Sequence, residues 1–393
     1  MAGIFPSSHE ELRMQLMADD LLSSDIEVRG MLDIDRRPTG ISPRRLPAWT
    51  RAQIPQPLDV VSRMPSGVRI RFRTDSQNLR LFCLTTRLLI SGDKPQPVMF
   101  NLESGDLLKT SEARGGNTLH VDRDDPSVYS LDRGEPSVVT FEGLPAGDKN
   151  VELWLAHNAY VELRALELDD GSSVSSFSEK RPTWVHHGSS ISHCMEALEP
   201  AKTWPAVAAR AGGVDLQNLG LAGQCHVDQF TARTIRDLAP DLISIKIGIN
   251  VVNGDTMRER AFVPAVHGFL DTLRDGLPDT RILLISPIYC PSTENHPGPT
   301  SRDSENRVVT TPGMESLRSG CLTLSRIREI LSSVVGARKD DNLSYLSGLE
   351  LLSEADAGDL PDDLHPNPAG YIRMGERFAA KAFAPGGFLE PLE

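Results

Sequence analysis

Two nearly continuous apolar runs, DLISIKIG (Asp241–Gly248) and RILLISPI (Arg281–Ile288), constrain the fold more than any other feature of the chain. A strand that is apolar at almost every position must be covered on both faces, which is the situation of a strand in a parallel sheet flanked by helices. Around these runs strand-like and helix-like segments alternate: PTWVHHG then AKTWPAVAARAG, VDLQNLG then CHVDQFTARTIRDLA, LISIKIG then MRERAFVPAVHGFLDTLRDGL, and RILLISPIY then a long loop and a helix expected near Met314 to Val335. The pattern predicts a three-layer α/β/α domain. Ligands of such sheets gather beyond the carboxyl ends of the strands, so the residues just after each strand carry the most interest.

The chain before this follows another rule. Between about Ala48 and Asp170 short period-two segments are separated by turns: GVRIRFRT, LRLFCLTT, PSVVTFEGL, VELWLAHN and YVELRALELDDG. Alternation such as Val161, Leu163, Ala165 against Glu162, Arg164 marks antiparallel strands with one buried face, and its repetition implies a β-sandwich, jelly-roll-like module. Arg69, Arg71 and Arg73 alternate with Val68, Ile70 and Phe72 and read as the wet face of a half-buried strand. HEELRMQLMADDLL (His9–Leu22) reads as a short helix. The serine-rich GSSVSSFSEK (Gly171–Lys180) suits a link between an accessory domain, 1–175, and a second domain, 176–393.

With 393 residues the chain exceeds the usual single-domain size, and a net charge of −13 excludes nucleic-acid backbone as its main partner, since that needs a concentrated basic surface. Five scattered cysteines, Cys83, Cys194, Cys225, Cys290 and Cys321, form no CxxC pair and fit a reducing compartment. The N-terminal MAGIFPSSHEELRMQLMADD carries charges where a secretory signal needs an apolar core, and no run is long enough to cross a bilayer. The expectation is a cytoplasmic protein without membrane contact.

Four polar signatures stand at strand ends or in a late loop. In order they are GSSIS (Gly188–Ser192), NLGLAG (Asn218–Gly223), GINV (Gly248–Val251) and DDLHPN (Asp362–Asn367), the last leading into the helix-like PAGYIRMGERFAAKAF. A serine hydroxyl needs a hydrogen-bonded base to become a nucleophile near neutral pH, and His365 can be that base. The D-x-x-H spacing lets Asp362 reach back to the other ring nitrogen, although Asp363 is adjacent.

In identity, order and context the four signatures resemble the four blocks of the SGNH, or GDSL, hydrolases, over about Pro182 to Phe383. The resemblance implies a flavodoxin-like α/β/α catalytic domain, with Ser190 as nucleophile, His365 as base and Asp362 orienting it. It also implies an oxyanion hole made by the backbone N–H groups of Ser190 and Gly223 and the side-chain amide of Asn250. The sequence departs from the family at Ser189 and Val251, where relatives carry aspartate. The β-rich half resembles sandwich modules that precede this domain in some carbohydrate esterases and acyl-transfer enzymes. A relative that moves an aryl acyl group in tetracycline-type antibiotic biosynthesis has a comparable layout.

Each residue taken singly has a plainer reading. Ser190 could be a helix N-cap, Gly223 and Asn250 turn residues, and the Asp and Asn of DDLHPN helix caps. His186, His187, His193 and Cys194 invite a metal, but strand alternation sends His186 and His187 to opposite faces and no carboxylate completes a set; no metal or cofactor is expected. His193 and Cys194 are placed to line or buttress the pocket, and Cys225 and His226 to support Gly223. The function expected is a serine esterase or deacetylase acting on an acyl ester or thioester. The alternatives are an acyltransferase with an alcohol acceptor, or a non-catalytic carbohydrate-binding or interaction protein. The segment Cys290–Gly313 is too long for a connector and is expected to form a lid or pocket wall. The β-rich half is expected to add a further wall, and Trp49 and Trp154 could supply a stacking platform. Nothing in the sequence indicates an oligomeric state.

Overall fold

The computed structural model describes residues 13–391, with 124, 126, 315 and 316 excepted. In the C-terminal half five strands form a wholly parallel sheet in the order Asp215–Gly220, Thr183–Gly188, Leu242–Lys246, Arg281–Ile285, Leu343–Leu346. Alternate residues leave the sheet on opposite faces, which explains why these strands are apolar throughout. Trp184 and His186 meet Trp204 and Phe378 of the helices Trp204–Gly212 and Pro368–Ala382, whereas His187 stacks on Phe269 of the helix Glu259–Arg274. Burying each large aromatic contributes roughly 1.5–3 kcal/mol, so the Trp184–Trp204–Phe378–Phe383 cluster is a main anchor of that face. The helix expected from Met314 starts only at Leu324. Thr323 sets that start, its Oγ1 accepting the Arg326 N–H at 3.2 Å.

The N-terminal half is β-rich, with one eight-stranded and one five-stranded sheet. Val139, Val161, Leu163 and Leu166 from the larger sheet share one buried cluster with Ile70, Phe72, Phe100 and Val151 from the smaller. Most pairs are antiparallel as the alternation predicts, but Leu79–Ile90 and Asn117–Val121 run parallel. In the strand Ala159–Asp169 the alternation shifts at an irregularity between Leu163 and Ala165, after which Leu166 and Leu168 turn inward.

The expected N-terminal helix is a strand where it is described: Arg13–Met17 pairs antiparallel with Ala165–Asp169, and residues 9–12 lie outside the described part. Met14 and Leu16 alternate toward the core, and pairing with an existing edge outweighs the helical reading of this short stretch. A second correction concerns the arginines. Arg69 and Arg71 are buried, at 1% and 6% exposure, because their strand's outer face meets the C-terminal half. Arg69 donates to Glu152 (3.0 Å), to the Leu216 carbonyl (3.0 Å) and to the Asp215 carboxylate, which Arg71 also contacts.

The serine-rich segment is stitched down along its length. Ser173 bonds Asp75, Ser175 pairs with Arg73 through the backbone, Ser178 bonds Asn150, and Arg71 lies over the Phe177 ring. Further buried polar contacts join the halves behind Ser190. The Arg45 guanidinium donates to the carbonyls of Val61, Met64, Asn218 and Gly220 and lies 3.3 Å from His193 Nδ1. Ser66 donates to the His193 carbonyl and accepts from Asn218 Nδ2. Such contacts hold only while every partner is present, since an unpaired buried polar group is costly. Trp154 is part of this packing, 3% exposed with Arg69 over its ring, so it offers no stacking platform; Trp49 is more exposed but is covered by Arg233.

Candidate active site

The strand Thr183–Gly188 ends at Gly188, and a one-turn helix, Ser190–His193, begins at once. Ser189 is its N-cap, its Oγ accepting the Ile191 N–H at 3.3 Å, so the capping role belongs to Ser189 and Ser190 is free for another bond. That turn lies against the neighbouring strand at Gly220, where an added Cβ would fall within 2.5 Å of His193 N and Ser192 O. Only glycine admits this approach.

Ser190 Oγ lies 2.9 Å from His365 Nε2, and His365 Nδ1 lies 2.8 Å from Asp362 Oδ2. The carboxylate can only accept, so Nδ1 carries the proton and Nε2 is left to accept from the serine hydroxyl. Asp362 is held by its own loop: Oδ1 accepts the backbone N–H groups of Leu364 (3.0 Å) and His365 (2.6 Å). Asp363, with φ +61°, occupies the turn and does not meet the histidine. The helix cap in DDLHPN is Asn367, whose Oδ1 accepts the Gly370 N–H, and not Asp362.

Charge reinforces this geometry. Burial alone would raise the Asp362 carboxyl, but the hydrogen bond and charge of His365, with a smaller contribution from Arg302, hold it well below the usual carboxylate range. For His365 burial works downward, and the charge of Glu196 followed by the bond and charge of Asp362 overcomes it, so its pKa is raised. Glu196 Oε1 is 3.8 Å from Nδ1 and its Oε2 accepts from Tyr371 at 2.8 Å. As the nearer, hydrogen-bonded carboxylate, Asp362 orients the ring; Glu196, with a side chain 40% exposed, adds charge that solvent screens.

The other two residues expected to donate, Gly223 and Asn250, follow the strands Asp215–Gly220 and Leu242–Lys246. Gly223, with φ +69°, occupies a turn closed by Gln224 N to Leu221 O. Asn250, in the short helix Ile249–Asn253, turns Oδ1 to the Cys225 N–H at 3.0 Å, which directs its NH2 away from that contact. Cys225 therefore supports the amide through its backbone, while its thiol, pushed up by burial, packs 3.4 Å from His187 Nε2.

The other histidines are structural. His186 bonds Ser244 and Ser192, His187 bonds Leu219 O, and His193 bonds His157 O, all fully or almost fully buried. Burial holds His187 down at about 4 and the other two well below the ordinary histidine value, so all three are neutral at physiological pH. His193 thus buttresses the site and does not line it. His226 is half-buried, bonding Thr256 and Gly223 O.

The long segment after Cys290 contains a hairpin, Thr300–Arg302 with Val308–Thr310, that sits beside the base. Val308 N donates to Asp362 O at 2.9 Å, and Arg302 Nη2 reaches Asp362 Oδ2 at 2.9 Å. Sequence reading passed over Arg302, Glu196 and Arg45, because none lies in a motif or a periodic segment, and over Tyr371, because helical periodicity marks it only as a buried helix residue.

A half-buried serine–imidazole–carboxylate line at a strand end is equipped for acyl transfer. Residues 187–373 match a family described as GDSL-like lipase/acylhydrolase. This part of the chain is a GDSL-like lipase/acylhydrolase domain. Solved structures resembling the whole chain include the salicylyl-acyltransferase SsfX3 from a tetracycline biosynthetic pathway, at 27% identity and TM-score 0.79, covering 97% of this chain and 99% of that one. A protein described as a GDSL-like lipase from Bacteroides ovatus follows at 16% identity and TM-score 0.64 (93% and 96% covered). The acetyl xylan esterase Est2A from Butyrivibrio proteoclasticus has 11% identity and TM-score 0.53 (96% and 100% covered), a likeness of fold alone. The comparison with curated proteins gave no match. The protein is an enzyme of the GDSL-like lipase/acylhydrolase kind, and no helix among the described residues is long and apolar enough to cross a membrane.

Proposed function

We propose that the enzyme transfers an acyl group from an ester or thioester to a hydroxyl acceptor through an acyl-enzyme on Ser190. The observation that carries this reading is the unbroken line Ser190 Oγ–His365–Asp362, with contacts of 2.9 and 2.8 Å. His365 Nε2 takes the serine proton as Oγ bonds to the carbonyl carbon, and Asp362 stabilises the imidazolium. The oxyanion that forms is met by the N–H groups of Ser190 and Gly223 and by Asn250 Nδ2, donors of a kind worth roughly 3 kcal/mol each in a dry site. His365 returns the proton to the departing alcohol or thiol as the carbonyl re-forms. The acceptor hydroxyl then gives its proton to His365 as its oxygen attacks the acyl carbon, and His365 passes that proton to Ser190 Oγ as the acyl–enzyme bond breaks.

The end-to-end likeness to a salicylyl-acyltransferase supports a hydroxyl acceptor of the natural-product kind over water. Hydrolysis is the second reading, supported by the family's esterase members, and is the same chemistry with water as acceptor. We further read residues 1–175 as an accessory β-sandwich and 176–393 as the catalytic domain, and place the enzyme in the cytoplasm, where its five unpaired cysteines are at home.

The test is to acylate the enzyme with an activated aryl ester and follow release with and without sugar and polyketide alcohols. Transfer predicts faster turnover and an acylated product with at least one alcohol. If every alcohol leaves the rate at that of hydrolysis, the enzyme is an esterase.

A further inference from the structure

Three charged groups from three different segments converge on the base. Asp362 comes from its own loop, Glu196 from the chain after the nucleophile turn, and Arg302 from the hairpin, while Tyr371 from the last helix holds Glu196. Cys290, whose Sγ donates to the Asp363 carbonyl, completes the surroundings; burial pushes its thiol up to about 12, and Tyr371 is raised well above its ordinary value, so both are uncharged across the working range. A histidine beside two carboxylates would hold its proton too firmly to serve as a base near neutral pH. Arg302 supplies the compensating positive charge on the same Oδ2 that accepts from His365.

Arg302 is itself held in place by a chain of contacts that ends in the N-terminal half. Its Nη1 donates to the Asn306 carbonyl at 2.5 Å, within a turn tied by Asp303 to the N–H groups of Glu305 and Arg307. Asn306 Oδ1 accepts from Arg123 Nη1 at 2.5 Å, and Arg123 is braced on the β-rich half by the Ser91 carbonyl (3.0 Å) and the Asp93 carboxylate. The line Arg123–Asn306–Arg302–Asp362 therefore runs from the β-rich half to the carboxylate behind the base.

Building on the acyl-transfer reading above, we propose that Arg302 is a positioning residue for the reaction, fixing the Asp362 carboxylate and balancing Glu196 around His365, and that the N-terminal half holds it there through Arg123. The β-rich half is then part of the catalytic apparatus and not only an accessory. Without Arg302 the imidazole faces two uncompensated carboxylates, binds its proton more tightly, and is the free base only at higher pH. Without Glu196 the opposite follows.

The test is the pH profile of kcat/KM for an activated ester with the full chain and its Arg302→Gln, Arg302→Lys, Glu196→Gln and Arg123→Ala variants. Arg302→Gln is expected to move the acidic limb to higher pH, with about a tenfold loss at pH 6. Arg302→Lys restores the charge and returns the limb toward wild type, and Glu196→Gln moves it to lower pH. Arg123→Ala shifts it in the direction of Arg302→Gln, but by less, and adds nothing in the double variant, as one line of contacts requires. The proposal is overturned if Arg302→Gln and Glu196→Gln leave the limb where it is, or if Arg302→Gln and Arg302→Lys lower the rate equally at all pH values. Should Arg302→Gln fail to fold, the Glu196→Gln and Arg302→Lys profiles decide alone. Failure of the acyl-enzyme reading is separate: the wild type would then not consume the ester through Ser190 at all, and both proposals would fall, whereas a finding that water is the only acceptor leaves the role of Arg302 standing.

Discussion

Ser190 and His365 meet across 2.9 Å, yet the structure behind each differs in kind. Ser190 stands at the end of a central parallel strand, on a turn pressed against Gly220 and backed by the buried contacts of Arg45, Ser66 and Asn218. His365 stands on irregular backbone, held by a carboxylate that caps its own loop and by a hairpin from a separate insertion. A rigid sheet thus presents the nucleophile, and side-chain charges orient the base. Position on one side follows from packing, and on the other from electrostatics, so the two should fail differently when perturbed.

The largest effect short of removing the nucleophile is expected from Asn250→Ala on the sheet side. Loss of that donor predicts a fall in kcat of roughly 10²–10³, together with a lower Tm, because the buried Cys225 N–H loses its acceptor. An unchanged kcat would remove Asn250 from the oxyanion hole. On the base side, the acidic limb of wild-type activity should lie above the ordinary histidine value of about 6.5. The sign follows from the raised pKa of His365: only the neutral imidazole accepts the serine proton, so activity is lost as pH falls through that raised value. A limb below the ordinary value would show that Glu196 and Asp362 do not dominate its surroundings. The smallest effect on chemistry is expected from Gly220→Ala, which presses a Cβ into the nucleophile turn and should cost about 1–3 kcal/mol of stability, seen as a lower Tm, with the pH limb unmoved. A limb that moved with Gly220→Ala would blur the contrast between the two sides.

This division also explains what could be read in advance. The parallel sheet was legible because strands covered on both faces are apolar throughout, and the residues at their ends stood in recognisable blocks. Ser190, His365 and Asp362 come together in one hydrogen-bonded line, with Ser189 taking the capping role that was one alternative for Ser190. Arg302 and Glu196 were not legible, because a charged residue in an irregular segment carries no periodic signal and its partner is set only by the fold. The buried Arg69 and Arg71 illustrate the same limit: alternation shows which residues share a face, but not whether that face meets water or another part of the chain. The first strand was misread for a related reason, since five residues pair with an edge that only the assembled sheet provides.

The most direct test of the account is labelling with a fluorophosphonate, followed by peptide mapping, for wild type and Ser190→Ala with folding checked by circular dichroism. The account predicts a single adduct on Ser190, formed faster as pH rises through the His365 limb, and none on the variant. Equal labelling of folded Ser190→Ala, or a folded wild type that takes no label at any pH, would contradict it.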